Sequence, residues 1–383
     1  MAEAIRRNRT REERRRSNET TQQRQTGRTL TSGGKDIVSA ESPPAGPASN
    51  LGPSGLPLLR TSERSTFKRC RWKWYQEFHD TVKPAVDVPP LRFGTLIHAS
   101  LAAYYKPGIR RGPHPTETFE RLYELDLHTQ APPGNMVEEI DAKWAPHRDL
   151  GIAMLDRYIA KYGKDDEWKV LVTEFPFRTI VHHPRDGVTP WFWYVGILDG
   201  IWWNLRTKRK VIVDHKTTVA IQLAYLAMDQ QATAYWTWGV EALMLEGLLA
   251  PDGSEKIDGF LFNFLRKAKA DARSANKEGY YLNKDGSISK KQPAPYHARV
   301  PIWRDWTERE KAKQMVIEEF KDIEAVRRGV IAPYKNPSQF TCTGCWALDI
   351  CELHEIGQDW QEMRAMTTRT WQPYSEHEIR EGR

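Results

Sequence analysis

The stretch WFWYVGILDGIWWNLRTKRKVIVDHKT, residues 191–217, decides the reading of this chain. Its first part, 191–205, is rich in Trp, Phe, Tyr, Val and Ile, the residue types of a pleated, largely buried strand. Thr207-Lys208-Arg209-Lys210 is a polar turn, and 211–217 is a second strand. Strands joined so closely lie about 5 Å apart, which brings Asp199 of the first near Asp214 of the second. Lys216 stands two residues beyond Asp214 and so points to the same face. Two carboxylates facing one way can share a hard cation such as Mg²⁺ or Mn²⁺, and a cation beside a lysine suits phosphodiester hydrolysis. A D-x-K triplet is common, and its plain alternative is two strand-end carboxylates and a surface lysine. The large apolar neighbours count against that alternative, because an unpaired charge among them is costly.

Around this pair the pattern predicts a mixed α/β core. A helix capped by Thr61 or Ser62 runs through Phe67, Cys70, Trp74 and Phe78. A second covers about 93–105, closed by Pro107-Gly108. Residues 115–165 read as helical with a break at 132–134. Strands are expected at 169–182, 257–266 and 296–303, and helices at 219–248 and 307–328. The 383 residues are 39% hydrophobic, enough for a large core. The net charge of +7 is uneven: residues 1–60 hold 11 Lys/Arg against 6 Asp/Glu. That segment, poor in large apolar residues before Leu51, reads as a disordered basic tail. No internal repeat stands out. Gly33-Gly34-Lys35 is followed by Asp36, with Thr29 where a phosphate loop needs glycine, which argues against a built-in ATP motor. No run is apolar enough for a membrane span or a secretory signal, so a cytoplasmic protein is expected.

The four cysteines are Cys70, Cys342, Cys345 and Cys351, the last three spaced C-x2-C-x5-C. In a cytoplasmic chain this pattern serves metal more often than disulfides. Four thiolates bind Zn²⁺ or an iron–sulfur cluster alike, and either would staple Cys70 to the far end of the domain. Arg64, Lys68, Arg69, Arg71 and Lys73 near Cys70, and Arg266, Lys267 and Lys269 after a strand, stand beside Trp72, Trp74 and Phe264. That mixture suits phosphates and stacked bases, or else a solvated helix face.

Over residues 61–355 the chain resembles the RecB-like, iron–sulfur branch of the PD-(D/E)XK nuclease superfamily, which includes the AddB nuclease domain and CRISPR-associated exonucleases. Gly94-Thr95-Leu96-Ile97-His98 resembles its helical motif with a metal-ligand histidine. Glu174 resembles the acidic residue of its first core strand, and Gly196-Ile197-Leu198-Asp199-Gly200 its first metal-binding aspartate. Asp214-His215-Lys216-Thr217 resembles the D-x-K motif with the catalytic lysine. Gln231 and Tyr235 resemble the Q-x3-Y pair that contacts DNA and positions that lysine. The four cysteines resemble the 4Fe–4S ligands, with Zn²⁺ as the alternative.

The resemblance implies a restriction-endonuclease-like mixed sheet flanked by helices, with a helical cap, in a domain over 61–355 closed by the four-cysteine cluster. Residues 1–60 and 356–383 are then tails. It implies catalysis by Glu174, Asp199, Asp214 and Lys216, with Mg²⁺ or Mn²⁺ on His98, Asp199, Asp214 and the His215 carbonyl. The implied function is a DNA exonuclease acting on ends or single strands, in recombination, repair or phage DNA processing. The alternatives are a non-catalytic DNA-binding module on the same fold, and a trimming enzyme working with CRISPR integrase partners.

Overall fold

In the computed structural model, which describes residues 51–85, 89–130, 137–250, 252 and 255–375, the stretch that opens the sequence forms two neighbouring strands. All described residues lie in the unit Pro44–Arg383. The front half comprises β1 (Leu58–Arg60), α1 (Thr61–Arg69), α2 (Arg71–Trp74) with a π turn at Tyr75–His79, and β2 (Val82–Pro84). Then come α3 (Pro89–Tyr104), α4 (Pro115–Gln130), α5 (Val137–Tyr162), β3 (Trp168–His182), β4 (Pro190–Asn204) and β5 (Lys210–Thr218). The second half has α6 (Gln230–Ala234), a π turn at Tyr235–Gly239, α7 (Val240–Leu245), β6 (Gly259–Arg266), β7 (His297–Trp303) and α8 (Trp306–Arg327). It closes with α9 (Gln339–Cys342), α10 (Leu348–Glu355), α11 (Trp360–Thr367) and β8 (Thr368–Thr370). No helix among the described residues is long and apolar enough to cross a membrane.

The main sheet is mixed and six-stranded. β3 pairs antiparallel along one edge of β4. The other edge of β4 is shared: β1 lies parallel to residues 193–195, and β5 antiparallel to residues 200–203. Residues 196–199 therefore face the gap where β1 has ended and β5 has not begun. β5 continues parallel to β6, which pairs antiparallel with β7.

Both faces of the sheet are covered, which explains why β4 reads as a nearly continuous apolar run rather than an alternation. One face packs Val211, Val213, Leu261 and Leu265 against Ile97, Leu101, Phe119, Leu155 and Tyr158 of α3, α4 and α5. The other packs Phe192, Leu198, Ile212 and Phe260 against Trp238, Leu243, Val316 and Phe320. The period of two along β5 thus sends Val211 and Val213 to the α3–α5 side and Ile212 to the side of α6 and α8.

Several elements depart from the expected boundaries. The front helix breaks at Cys70, which is extended at φ −162°, ψ 112°. The backbone groups around this break are taken up by the far end of the chain: Trp72 N–H donates to the Tyr334 carbonyl, and Asn336 Nδ2 to the Arg69 carbonyl. The helix expected over 219–248 starts only at Gln230. Asp229 caps it by accepting from the Ala232 N–H at 2.8 Å, while Val219, Leu223 and Met228 stay exposed and supply no buried face. The break expected at 132–134 lies outside the described residues.

Both expected tail boundaries shift. Residues 1–50 lie outside the described residues, but residues 58–60 form a strand with Leu59 fully buried. Nor is the chain beyond 355 a simple tail: β8 pairs antiparallel with β2, and the Tyr374 hydroxyl, buried, donates to the Leu58 carbonyl at 3.0 Å and to Glu63. Residues 376–383 lie outside the described residues.

Candidate active site

The gap on the β4 edge is where the site forms. At Gly200 and Val213 the two strands still pair; beyond that point β5 diverges. There the Asp199 carboxylate takes over from the ladder, accepting the His215 N–H through Oδ2 at 2.7 Å. The same oxygen lies 3.3 Å from His98 Nδ1 of α3. Asp199 is thus fixed by one backbone donor and one imidazole. Burial favours its neutral form, but the His98 charge and hydrogen bond, with His215, hold its carboxyl down at about 2. Burial lowers His98, and Asp199 outweighs that and raises it.

Asp214 and Lys216 share the opposite side of β5 from His215. Lys216 Nζ lies 2.8 Å from Asp214 Oδ2 and donates to Asp214 Oδ1 at 3.1 Å. Oδ2 takes part in the ion pair alone and accepts no hydrogen bond. Gln231, on the first turn of α6, accepts from Lys216 Nζ at 2.7 Å and donates through Nε2 to Asp214 Oδ1 at 3.3 Å. It locks both partners in one geometry. Burial raises the Asp214 carboxyl to about 6, Lys216 opposing and Asp199 adding to the rise. Burial lowers the Lys216 ammonium, but Asp214 more than restores it and the net shift is upward.

Glu174 stands on β3 opposite Asp199, between the paired positions Thr173–Gly200 and Phe175–Leu198. Its φ of +46° is a left-handed conformation that a glutamate adopts only at a cost. Burial, then the Asp199 charge, raises its carboxyl to about 7, with His98 opposing. The side chain is exposed, so water screens part of that rise.

Tyr235 begins the π turn that follows α6, an insertion often found at working sites. A Cβ on Gly196 would sit 2.8 Å from the Tyr235 ring and 2.6 Å from Phe177, so only glycine lets the tyrosine lie against β4 here. Burial pushes the Tyr235 phenol far up, so it stays a neutral hydroxyl. The structure therefore gathers His98, Glu174, Asp199, Asp214, Lys216, Gln231 and Tyr235 in one place.

Sequence reasoning missed what stands behind His215. Its imidazole, buried and pushed down to about 3 by burial, lies 2.7 Å through Nδ1 from Asn263 Nδ2 of β6. Asn263 Nδ2 also donates to the Tyr158 hydroxyl at 2.9 Å, and its Oδ1 accepts from Arg299 Nε at 3.3 Å. Arg299 in turn binds Asp165 through both guanidinium branches. The signal was available: Asn263 is the one uncharged polar residue in the strand GFLFNFLR.

The cysteine-bearing segments also meet. Arg69 Nη2 donates to the Phe340 carbonyl at 2.7 Å, and Lys335 Nζ to the Cys351 carbonyl at 2.9 Å. Burial raises the Cys351 thiol, Lys335 opposes, and Cys70, Cys345 and Cys342 add to the rise, so Cys351 lies within electrostatic reach of the other three. Among the described residues, however, no group of three or more His, Cys, Asp or Glu side chains is arranged to hold a metal ion. At the carboxylate site Asp199 and Asp214 are engaged by His98, the His215 amide, Lys216 and Gln231.

Of the basic residues expected on DNA near Cys70, Arg64 is buried, Arg71 and Lys73 are half-buried, and Lys68 and Arg69 are exposed, most of them with partners in the chain. Arg64 is buried against Glu319 and Tyr194, Lys68 binds Glu319 and Gln230, and Lys73 lies 3.5 Å from Glu77. Arg71 lies over the Phe67 and Tyr334 rings. Arg266 is spent on the Ala294 and Pro295 carbonyls, and Lys267 lies over the Phe93 ring. Lys269 is exposed. Trp72, Trp74 and Phe264 are core residues rather than stacking platforms.

A family model described as the PD-(D/E)XK nuclease superfamily matches residues 61–352. Among solved structures, a candidate exonuclease from Eubacterium rectale is similar at 11% identity and a TM-score of 0.41, over 76% of this chain and 87% of that one. No curated protein matches the chain.

Proposed function

Since the chain belongs to the PD-(D/E)XK nuclease superfamily, we propose that it is a metal-dependent DNA nuclease that hydrolyses phosphodiester bonds at ends or in single strands. The observation that carries this reading is the convergence of Asp199, Asp214 and Lys216, with Glu174 opposite, at the point where β5 leaves β4. The donor set fits a hard cation. Carboxylates predominate, and Asp214 Oδ2, on a nearly fully buried residue, accepts no hydrogen bond. Asp199, Asp214, His98 and the His215 carbonyl would hold Mg²⁺ or Mn²⁺, with Glu174 completing the acidic wall. Such an ion neutralises charge on the scissile phosphate and makes water a stronger acid.

The chain's own residues do the rest. Lys216, kept charged by Asp214, orients the attacking water and meets the negative charge that grows on the phosphoryl oxygens. Water oxygen bonds to phosphorus, the P–O bond to the leaving sugar breaks, and the leaving oxygen takes up a proton. Gln231 and Tyr235 keep Lys216 aimed. The test is cleavage of end-labelled linear single strands, linear duplexes and circular single strands with Mg²⁺ or Mn²⁺. Metal-dependent shortening of linear strands supports the reading; intact DNA of every form with either metal sinks it.

Cys70, Cys342, Cys345 and Cys351 form, in this proposal, a four-thiolate site for a 4Fe–4S cluster, with Zn²⁺ as the alternative. Its support is the sulfur-only donor set and the bonds from Arg69, next to Cys70, to the Phe340 and Thr341 carbonyls, next to Cys342. Anaerobically purified protein is expected to carry about four irons with sulfide, or one zinc, per chain. Cys70→Ser is expected to lose that metal and melt about 5–10 °C lower, the shift that ~3 kcal/mol produces in a domain of this size. Metal-free wild-type protein with an unchanged melting temperature would remove the site.

A further inference from the structure

Two clefts share a wall near Gln231 and Tyr235. One, of about 500 Å³, is lined by Ile197, Gln231 and Tyr235 at one end and by Arg60, Ser62 and Thr66 at the other. Those last three residues also line a second cleft of about 720 Å³. The second cleft runs on to Lys83 of β2, to Arg92 and Thr95 of α3, and to Arg369 and Trp371. A continuous trough therefore leads from the residue that holds Lys216 to the small ladder of β2 and β8. Its larger half carries five basic side chains, Arg60, Lys73, Lys83, Arg92 and Arg369, and two acidic ones; Arg92 binds Asp126 and Lys73 lies 3.5 Å from Glu77, which leaves an excess of positive charge toward Arg60, Lys83 and Arg369.

The ladder itself holds a second, independent signal. Lys83 and Arg369 are direct cross-strand partners. Both line the cleft, so the ladder sets two cationic side chains next to each other at its wall. Trp371 follows on the Arg369 side of β8, two residues on. Lys83 Nζ sits 3.3 Å from the centre of its ring, and the Arg60 guanidinium 5.5 Å from it, so the aromatic surface holds cations at the trough wall. Arg369 and Trp371 lie beyond residue 352, where the family match ends, and Arg60 just before it begins.

We infer that this trough is the track for one strand of DNA, with the β2–β8 ladder gripping the backbone several residues away from the cut. Repeated basic groups beside an aromatic wall suit a flexible polyanion with unstacked bases; in a duplex the bases are already stacked on one another. The inference rests on the nuclease reading for the direction of the track, but its test does not need cleavage.

The test uses the full chain without divalent metal and a fluorescent single-stranded oligonucleotide, with binding followed by anisotropy across salt concentrations. The double variant Lys83→Gln, Arg369→Gln is expected to bind about tenfold more weakly, with a salt slope lower by about 1.4, the loss of two phosphate contacts at ~0.7 each. Its melting temperature is expected to stay level, since substitutions on the small surface ladder cost little. Weaker binding without unfolding is the signature of the track. Unchanged affinity and slope overturn it, as does a duplex that binds equally tightly and depends equally on the two residues. Cleavage of thymidine 5′-(p-nitrophenyl phosphate), too small to reach the ladder, is expected to be unaffected in the variant; an equal loss there overturns the assignment to the track. Wild-type binding through the trough with no cleavage of any DNA would instead fail the nuclease reading and leave the track standing.

Discussion

Asp214→Asn and Lys216→Ala are each expected to slow cleavage by roughly 10²–10³-fold or more, the scale set by removing one group that stabilises transition-state charge. The two variants are expected to differ sharply in stability. Burial, opposed by Lys216 and reinforced by Asp199, lifts the Asp214 carboxyl from 3.8 in a free side chain to about 6. A folded-state value above the unfolded one means the contribution is fully present below about pH 3.8 and is lost as pH rises through about 6. At pH 8 the metal-free protein carries the whole cost of an ionised Asp214. Asn removes that cost and keeps the shape, while Lys216, 30% exposed, is left within reach of water. Lys216→Ala does the reverse: it strands a carboxylate that is only 5% exposed. Metal-free Asp214→Asn should therefore melt no lower than wild type at pH 8, and Lys216→Ala clearly lower. Melting curves at pH 8 and pH 4, with a cleavage assay on the same samples, decide it. Wild-type-like cutting by either variant would refute the site, and the opposite order of melting would refute the electrostatic account.

The parts legible in the sequence were those written in local pattern. Residues 191–217 announce two buried strands and place Asp199, Asp214 and Lys216 together because strand period and turn length leave little else. The strands at β3, β6 and β7 fall within two residues of expectation for the same reason. The parts that were not legible depend on partners far along the chain. Nothing local says that Cys70 interrupts a helix; the interruption is stabilised by Tyr334 and Asn336. The basic run around Cys70 looks like a DNA-facing surface until Glu319 and Glu77 are seen to hold its charges. Residues 219–228 have enough apolar content to extend a helix, but Asp229 supplies a better start. The C-terminal segment looks like a tail because its few apolar residues bury themselves against β1 and the front helices rather than against one another.

Glu63→Ala is expected to cost about 3–5 kcal/mol, the range for removing one partner of a buried ion pair. Glu63 is fully buried at the start of α1 and accepts from three elements at once. Trp74 Nε1 of α2 donates at 3.0 Å, Arg327 Nη2 of α8 at 2.6 Å, and the Tyr374 hydroxyl closes the set. Arg327, itself only 10% exposed, has Glu324 at 2.8 Å as a second carboxylate, but that bond does not replace the one to Glu63. Losing Glu63 leaves a buried guanidinium underpaired and orphans an indole N–H, while the Tyr374 hydroxyl keeps the Leu58 carbonyl. Tyr374→Phe removes a single donor and should cost less, roughly 1.5–3 kcal/mol for a hydrogen bond to a charged group. Glu63→Met combined with Arg327→Met should recover part of the loss, since two apolar side chains strand no charge. Denaturant unfolding of the four proteins gives the comparison directly. Glu63→Ala within about 1 kcal/mol of wild type would mean that the carboxylate contributes little net stability. Equal losses in Glu63→Ala and the double Met variant would mean that packing, not the buried charge, ties the C-terminal segment to the front of the domain.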